Sequence, residues 1–315
     1  MNEKKSVSFV IPCYRSAVTL PAVIDEILRQ MQRKEQYYDY EIVCAVDGSP
    51  DSVFDVLKKL GEGNRNIKAI DLSKNYGQAN ARMAAMYRAK GDYIVGLDDD
   101  GQCPVDRVYD LLDKLEDGFD VAVARYPRKK QSLFKNFGSK VNKLSSHLLL
   151  DIPRDFEMSN FFAMKRFVMV QLLQYTNPYP YLTGLISQIT RKIAMVPMEE
   201  RARAVGETGY TLRKLLHHWL NGFTSFSIKP LRMAGVLGFL TAMLGFCMGF
   251  YYVIRKLLGF PMVSGYTSII AILLFVGGVI MILLGIIGEY VGRIFICINN
   301  SPQYVIRETV NVDEQ

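Results

Sequence analysis

Three consecutive carboxylates, Asp98, Asp99 and Asp100, follow directly after an apolar run at residues 93–97. The run predicts a buried strand, so the three side chains are expected at its carboxyl end. Adjacent carboxylates repel one another unless a cation or a set of hydrogen-bond donors relieves the repulsion, and a divalent metal does so directly. An acidic turn on the surface is the alternative interpretation of this stretch.

Two further polar turns favour the metal interpretation, because each follows a predicted strand of the same kind. Asp47 comes directly after the strand predicted at residues 41–46, and Asn75 lies in a polar loop after the strand at residues 67–72. In a parallel sheet the carboxyl ends of the strands meet at one edge, and ligands bind beyond it. Asp47, Asn75 and the acidic cluster are therefore predicted to converge on one ligand site.

Two basic segments could meet an anionic ligand near the same edge. Arg125 opens a basic loop with Arg128, directly after a strand predicted at residues 120–124. A second stretch, EERARAVGETGY at residues 199–210, contains Arg203 and glycines and could fold over a ligand. A solvated charge run and a surface linker are the respective alternatives.

Strands and helices must alternate to bring these turns to one edge, and the hydrophobic periodicity predicts that order. Strands are predicted at residues 6–12, 41–46, 67–72, 93–97, 120–124 and 193–197, and helices at residues 19–31, 53–60, 78–90, 105–115, 166–174 and 182–190. Residues 133–150 carry lysines between apolar positions, which is typical of a helix on a membrane surface or of a half-buried helix. The whole pattern predicts an α/β domain with a doubly wound, mostly parallel sheet.

The last third of the chain has a different composition. Half of the 315 residues are hydrophobic, and two stretches without charge predict membrane-spanning helices at about residues 233–254 and 268–288. The N-terminal apolar run is too short for a signal peptide, so the domain is expected on the cytoplasmic side. Five scattered cysteines suggest neither a disulfide framework nor a thiolate zinc site, which fits a reducing compartment.

Segments next to the spans are predicted to bind lipid and other chains. Residues 212–226 carry Trp219 among leucines and phenylalanines, which indicates an interfacial helix, with His217 and His218 interfacial and not metal ligands. The net charge of +7 comes partly from basic residues before the first span, which favours anionic lipid and phosphate over nucleic acid as partners. The tail at residues 303–308 could add a strand to a neighbour's sheet edge.

In this order the motifs resemble those of the inverting polyprenyl-phosphate glycosyltransferases of family 2. These include dolichyl-phosphate mannose synthases and bacterial undecaprenyl-phosphate glucosyl- and aminoarabinosyltransferases. The resemblance covers nearly the whole chain and rests on VSFVIPCY, EIVCAVDGS, DLSKNYGQ, GDYIVGLDDDGQ, the basic loop after DVAVAR, RAVGETGYTLRKLL, FTSFSIKPLR, and GEYVGRI with QYVIRE. It implies a GT-A fold with a nucleotide sugar along the sheet edge, in a protein of the inner or plasma membrane.

The resemblance also implies roles for particular residues. Asp98 and Asp100 correspond to the aspartates that bind Mg²⁺ or Mn²⁺, and Asp99 takes the variable place between them as a spacer. The implied nucleotide-sugar site contains Pro12, Tyr14, Asp47, Asn75, Gln78, Asp98 and Asp99. The implied site for the acceptor phosphate contains Arg125, Arg203 and Lys214, and Arg128 of the same basic loop is a further candidate.

Two positions depart from the family pattern. Val46 stands where relatives often carry a first aspartate before Asp47, which leaves the donor's base open. Asn160 stands where the family has a proposed catalytic base. A lipid phosphate is already anionic at neutral pH and needs no deprotonation, so the implied reaction is its attack on the anomeric carbon with inversion.

The implied organisation is a catalytic domain at residues 1–211, an interfacial helix at 212–231, a transmembrane hairpin at 232–290 and a cytoplasmic tail at 291–315. A homotetramer and a UDP-linked hexose donor are expected from the resemblance alone. A non-catalytic membrane scaffold is one alternative, motivated by Val46 and Asn160. A processive polysaccharide synthase is another, although the sequence shows no QxxRW motif of the kind that such enzymes use.

Overall fold

The structure, a computed structural model, describes residues 4–127, 158–201, 229–258, 265–299 and 301–312. Its strands are β1 (Lys5–Cys13), β2 (Tyr38–Val46), β3 (Ile67–Leu72), β4 (Tyr93–Gly96), β5 (Val121–Arg125), β6 (Phe162–Lys165), β7 (Ile193–Pro197) and β8 (Ile306–Val310). They form one sheet in the order β7-β5-β6-β4-β1-β2-β3-β8. Six strands run in the same direction, and β6 and β8 run against them. The mostly parallel α/β sheet predicted from the sequence is confirmed.

Helices cover both faces of the sheet. These helices are α1 (Leu20–Arg33), α2 (Val53–Gly63), α3 (Gln78–Arg88), α4 (Val108–Glu116), α5 (Arg166–Leu172) and α6 (Leu182–Ile189), and two longer helices, α7 (Lys229–Leu257) and α8 (Tyr266–Ile298), follow them in the chain. Apolar side chains of α1, α2 and α4 pack on one face, and those of α3, α5 and α6 pack on the other. Alternate residues of β1 supply the two layers, since Phe9 faces the first and Val10 the second.

Strand β6 is the main element that the sequence analysis missed. Its apolar run is short and leads directly into α5, so no alternation distinguishes it from a loop. The strand lies antiparallel between β4 and β5. Gly96 makes this possible, because a Cβ at that position would lie 2.2 Å from the ring of Phe162. Since β6 is antiparallel to both neighbours, β5 keeps the direction of β4, and Arg125 ends on the predicted edge.

Some predicted helix ends also need correction. The helix predicted at residues 105–115 begins as a 3-10 turn at Val105–Arg107 and becomes α-helical in α4. The second span is predicted to end at residue 288, because the charged Glu289 follows it, yet α8 continues to Ile298. Glutamate and arginine have helix propensities close to that of leucine. A charged residue can therefore mark the end of an apolar segment while the helix itself continues. The helices predicted at residues 133–150 and 212–226 lie outside the described residues.

The C-terminal tail pairs within its own chain. Strand β8 lies antiparallel to β3, with Thr309 opposite Ile70. The prediction of pairing with a neighbour's sheet is therefore wrong for this structure. The physical reason is that β3 would otherwise be an open edge of the sheet, and an unpaired edge accepts whichever strand is nearest.

Helices α7 and α8 form the predicted hairpin. Each contains a window long and apolar enough to cross a membrane, Ala234–Tyr251 with a mean hydropathy of 1.7 and Phe275–Ile298 with 2.1. Only 6% of the first window and 0% of the second are buried within the described chain. Most apolar side chains of these windows are therefore exposed, and an α-helix satisfies its backbone hydrogen bonds internally, as a membrane span must.

Candidate active site

Four loops meet at the carboxyl edge of the central strands. The first loop is residues 14–19 after β1, the second is 47–52 after β2, the third is 73–77 after β3, and the fourth is 97–104 after β4. These loops carry most of the predicted nucleotide-sugar residues. Two lie outside them, because Pro12 is inside β1 opposite Ala45 of β2 and Gln78 is the first residue of α3.

Asp47 fixes the second loop to the third. Its carboxylate accepts hydrogen bonds from the backbone N–H groups of Tyr76, at 2.6 Å, and Gly77, at 2.9 Å. The amide of Asn75 donates to the backbone carbonyl of Asp47 at 3.2 Å. Burial raises the pKa of Asp47, and the two backbone donors oppose that rise. Asp47 thus shapes the third loop, while its predicted contact with a base or ribose stays a prediction.

Gly48 allows the two loops to approach closely. Its φ is +55°, and a Cβ there would lie 2.3 Å from the backbone carbon of Lys74. A side chain at this position would therefore push the third loop away from Asp47.

Asp98 is held by three side chains. One carboxylate oxygen accepts from Gln78 at 2.7 Å and from Arg82 at 3.1 Å, and the other accepts from Asn160 at 2.5 Å. Burial raises the pKa of Asp98, the charge of Arg82 lowers it, and the charge of Asp100 raises it again. Since a carboxylate offers about four acceptor positions, Asp98 retains room for one further contact.

Arg82 is the site residue that the sequence analysis missed. It is buried on α3, with 4% of its surface exposed, and its guanidinium lies over the ring of Phe162 at 5.6 Å from the centroid. A signal was present in the sequence. Arg82 is the single charge at residues 79–86, and it lies four residues after Gln78, on the same helix face.

Asn160 lies just before β6 and donates its amide hydrogen to Asp98. An uncharged amide used as a donor cannot accept a proton as a base would. In this structure Asn160 is therefore a hydrogen-bond partner of Asp98, and any catalytic role for it stays a prediction. The neighbouring Phe161 and Phe162 are fully buried and anchor this position.

Asp99 fixes the fourth loop to the first. Its carboxylate accepts from the backbone N–H of Tyr14 at 2.9 Å, and its carbonyl accepts from the hydroxyl of Thr19 at 2.8 Å. Burial raises the pKa of Asp99 to about 6, against the effect of the Tyr14 hydrogen bond. The Asp99 side chain therefore positions the loop that contains Tyr14, while its predicted places as a spacer between Asp98 and Asp100 and as a nucleotide-sugar contact stay predictions. The Tyr14 side chain itself is 44% exposed.

The carboxylates at this edge can hold a divalent ion only together with a ligand. Asp100 is partly exposed and accepts from the backbone N–H of Gln102 at 3.0 Å. Among the residues that the structure describes, no group of three or more His, Cys, Asp or Glu side chains could hold a metal. Mg²⁺ in nucleotide sites is bound by one or two carboxylates plus phosphate oxygens and water. Asp100 and the remaining acceptor position of Asp98 fit that requirement.

A pocket of about 1270 Å³ opens beyond β5 and β7, next to the acidic loop. It is lined by methionines, prolines and arginines with a few other side chains: Pro104, Asp106, Arg107, Ala124, Arg125, Tyr126, Pro127, Met158, Ser159, Met195, Pro197, Met198, Glu199 and Arg201. Ser159 adjoins Asn160 in the chain, so the pocket borders the Asp98 cluster. Arg125 is exposed in this pocket, and its predicted contact with a phosphate stays a prediction, whereas Arg128, Arg203 and Lys214 lie outside the described residues.

Arg201 fixes the chain that borders the pocket. Its guanidinium donates to both carboxylate oxygens of Glu26 on α1, at 2.8 and 2.9 Å, and also to Asp106. Its backbone N–H donates to the carbonyl of Gln102 at 3.1 Å. Arg201 therefore lies beside Gln102, two residues after Asp100 in the fourth loop.

These features define a nucleotide-binding type of α/β domain, with paired carboxylates at the carboxyl edge and a hairpin suited to a membrane. Residues 8–173 match glycosyl transferase family 2, and residues 229–294 match the GtrB C-terminal hairpin. The chain therefore belongs to glycosyl transferase family 2 and is a glycosyltransferase.

Full-length relatives agree with this assignment. The chain is 30% identical to the uncharacterized glycosyltransferase YkcC of Bacillus subtilis, over 100% of this chain and 97% of the relative. It is 28% identical to the bactoprenol glucosyl transferase of Shigella phage SfII, over 96% and 98% of the two chains. It is also 28% identical to the undecaprenyl-phosphate 4-deoxy-4-formamido-L-arabinose transferase of Photorhabdus laumondii, over 97% and 94%.

A solved structure confirms the fold. Glucosyl-3-phosphoglycerate synthase from Mycobacterium tuberculosis, in complex with Mn²⁺ and UDP-glucose, matches with a TM-score of 0.50 and 17% identity, over 70% of this chain and 77% of that one. The identity is low, so the likeness supports the GT-A fold and no more.

Proposed function

We propose that this protein transfers a sugar from a nucleotide sugar, most simply a UDP-linked hexose, to the phosphate of undecaprenyl phosphate. One observation carries the proposal: the acidic cluster adjoins a pocket that contains Arg125, in a chain that also has the GtrB hairpin. Two relatives over the full length are named for transfer to bactoprenol or undecaprenyl phosphate. Their names specify different sugars, so the sugar is left to experiment.

The donor half of the edge, the loops after β1 to β4, would bind the nucleotide sugar. Asp47 and Asp99 hold the third and first loops, and Gln78 and Arg82 hold Asp98. A site whose polar groups are already fixed loses little free energy to reorganisation when the diphosphate arrives. When bound, Mg²⁺ or Mn²⁺ on Asp100 and Asp98 would neutralise charge on the departing nucleoside diphosphate.

The acceptor half, the pocket beyond β5 and β7, would bind the lipid phosphate. Arg125 would attract that phosphate, with Arg128, Arg203 and Lys214 as further predicted contacts. Methionine and proline side chains line the same pocket, and such apolar surface suits an acceptor whose chain is hydrocarbon. A phosphate oxygen would attack the anomeric carbon from the side opposite the leaving diphosphate, which inverts the configuration.

Asn160 is compatible with this reaction. Since a lipid phosphate carries its charge at neutral pH, the reaction needs no base to remove a proton before attack. The amide of Asn160 instead holds Asp98 in place through its 2.5 Å hydrogen bond.

The hairpin would place this chemistry at the cytoplasmic surface of the inner or plasma membrane. Two spans return the chain to its starting side, so the catalytic domain and the tail share one side. Nucleotide sugars are made in the cytoplasm, which favours that side. A homotetramer is our working hypothesis for the oligomeric state.

The experiment that tests the proposal uses the full chain in phospholipid nanodiscs with undecaprenyl phosphate. A panel of UDP- and GDP-sugars is supplied with Mg²⁺, with Mn²⁺, or with EDTA, and lipid products are identified by mass spectrometry. We expect one sugar nucleotide to give a product of one added sugar per lipid phosphate, with product lost in EDTA. No product from any donor, together with no binding of UDP or GDP by calorimetry, would favour the non-catalytic scaffold.

A further inference from the structure

The third loop is held from two sides. Asp47 binds its far end through Tyr76 and Gly77, as described above. The C-terminal tail binds its beginning, because the backbone N–H of Ser73 donates to the carbonyl of Val305 at 2.9 Å. Arg307 completes this contact by donating to the carbonyl of Ser73 at 2.6 Å. Both backbone polar groups of Ser73 are thus satisfied by the tail.

Arg307 also neutralises a buried charge at the end of β3. Its second guanidinium nitrogen lies 3.2 Å from the carboxylate of Asp71, a residue with 8% of its surface exposed. A planar guanidinium can bridge two acceptors in fixed geometry. Arg307 therefore connects the last residues of β3 to the first residue of the third loop.

The tail contacts a second loop that borders α3. The side-chain amide of Gln303 donates to the carbonyls of Tyr175, at 3.4 Å, and Asn177, at 3.0 Å. Asn80 of α3 donates to the carbonyl of Pro178 at 3.0 Å and to that of Tyr76 at 2.8 Å. The tail, the 175–181 loop and the third loop thus form one hydrogen-bonded unit.

We propose that Arg307 is a positioning residue for the donor, through which the tail that follows the second membrane helix holds the third loop in its binding geometry. This inference rests on the proposed function, since it assigns the third loop to the nucleotide sugar. It means that the catalytic domain is not complete without residues 303–312. The helix α8 ends at Ile298, so only a short connection separates the membrane segment from the donor half.

Other contacts of β8 show that Arg307 is not needed merely to attach the strand. Asn311 donates to the carbonyls of Gly61, at 2.8 Å, and Ile67, at 3.0 Å. Glu308 pairs with Lys58 of α2 at 2.7 Å. The backbone ladder with β3 is independent of side chains, so β8 keeps its place when Arg307 is shortened. The Arg307 side chain is 60% exposed, and its loss leaves no cavity.

The test compares Arg307→Ala, Arg307→Lys and the control Lys58→Ala in the full chain in nanodiscs. The control removes the other ion pair of β8 without touching the third loop. UDP and GDP are titrated with Mn²⁺ by calorimetry, and the nucleotide that binds wild type more tightly is used for the variants. Steady-state transfer then gives KM for donor and acceptor and kcat, while thermal unfolding reports folding.

We expect Arg307→Ala to weaken nucleotide binding and raise donor KM by about threefold to tenfold, with acceptor KM, kcat and Tm near wild type. Arg307→Lys restores part of the affinity, since an ammonium reaches one acceptor but not two. Lys58→Ala should match wild type.

If wild type transfers sugar and Arg307→Ala keeps the wild-type donor KM, or changes acceptor KM equally, the inference is overturned. If wild type neither binds nucleotide nor transfers sugar, the proposed function fails first.

Discussion

The donor and acceptor halves of the carboxyl edge differ in how their charged groups are satisfied. In the donor half, Asp47, Asp98 and Asp99 all accept hydrogen bonds from neighbouring loops or side chains. The acceptor half presents an open pocket with the exposed Arg125 in it. This difference fits the two roles proposed above. The donor half would hold the sugar nucleotide in a preformed site, and the acceptor half would bind a bulky lipid phosphate through its positive charge and its open volume. Substitutions in the two halves should therefore differ in kinetic effect.

The largest effect is expected from Asp100→Ala. Under the proposed function, loss of this carboxylate would remove a metal ligand, and metal stabilisation of a leaving diphosphate contributes several kcal/mol, so we expect transfer to fall by about a thousandfold. The measurement is single-turnover transfer in nanodiscs at saturating donor, acceptor and Mn²⁺. Asp117→Ala, at an exposed position after α4, is the matched control. Near-normal transfer by Asp100→Ala would exclude a metal-binding role for this residue.

Asn160→Asp tests the donor half further. The wild-type amide donates to Asp98, and a carboxylate placed 2.5 Å away would repel it instead. We expect kcat to fall by about tenfold or more, equivalent to about 1.4 kcal/mol or more, with acceptor KM unchanged. Asn160→Ala, which removes the hydrogen bond without adding charge, should have a smaller effect. An increase in kcat for Asn160→Asp would instead mean that this position works as a base after all.

Arg125→Ala tests the acceptor half. Loss of one charge-assisted contact to phosphate should raise acceptor KM by about tenfold, or about 1.4 kcal/mol, and leave donor KM unchanged. Arg125→Lys keeps the charge and should recover part of the affinity. Arg65→Ala, an exposed arginine before β3 and away from the carboxyl edge, is the control. Acceptor KM is measured by titrating undecaprenyl phosphate at a fixed donor concentration. A rise in donor KM alone would contradict the division between the two halves.

The position of a site residue was easiest to predict where it depends only on the strand directly before that residue. Asp47, Asn75 and Asp98 were placed correctly at the carboxyl edge, because each follows a strand with a clear apolar pattern. Short strands, and contacts that form only in the folded chain, were harder to predict. Strand β6 has four residues and no alternation, so its antiparallel insertion depends on the space that Gly96 leaves for Phe162.

Contacts between residues that are distant in the chain were the second feature that the sequence did not predict. The ion pair of Arg82 with Asp98 forms only after α3 packs on the sheet, and its sequence signal is a single charge at residues 79–86. The role of Asp99 depends on a backbone group 85 residues away. Pairing of β8 with β3 was assigned to a neighbouring chain, because periodicity predicts a strand but carries no information on which edge it joins.

The smallest effect on activity is expected from Glu41→Gln, which lies outside both halves. Glu41 accepts from the hydroxyl of Ser8 at 2.5 Å, the backbone N–H of Lys90 at 2.5 Å and the ammonium of Lys68 at 2.6 Å. Burial raises its pKa, but these contacts outweigh burial and hold the pKa below the ordinary value of 4.5. Removing a buried charge partner should cost about 1–3 kcal/mol of folding stability at pH 7, with both KM values unchanged.

The pH dependence of that loss follows from the lowered pKa. A carboxyl whose pKa is lower in the folded state stabilises the fold above its unfolded pKa, and this contribution is lost as pH falls through the folded value. The Tm difference between wild type and Glu41→Gln should therefore be larger at pH 7 than at pH 4. Asp39→Asn, which removes an exposed pair with Lys4, is the control and should leave Tm unchanged at both pH values. A Tm difference independent of pH would show that packing at Glu41, and not its charge, stabilises the sheet, while a change in donor KM would show that the donor half extends this far.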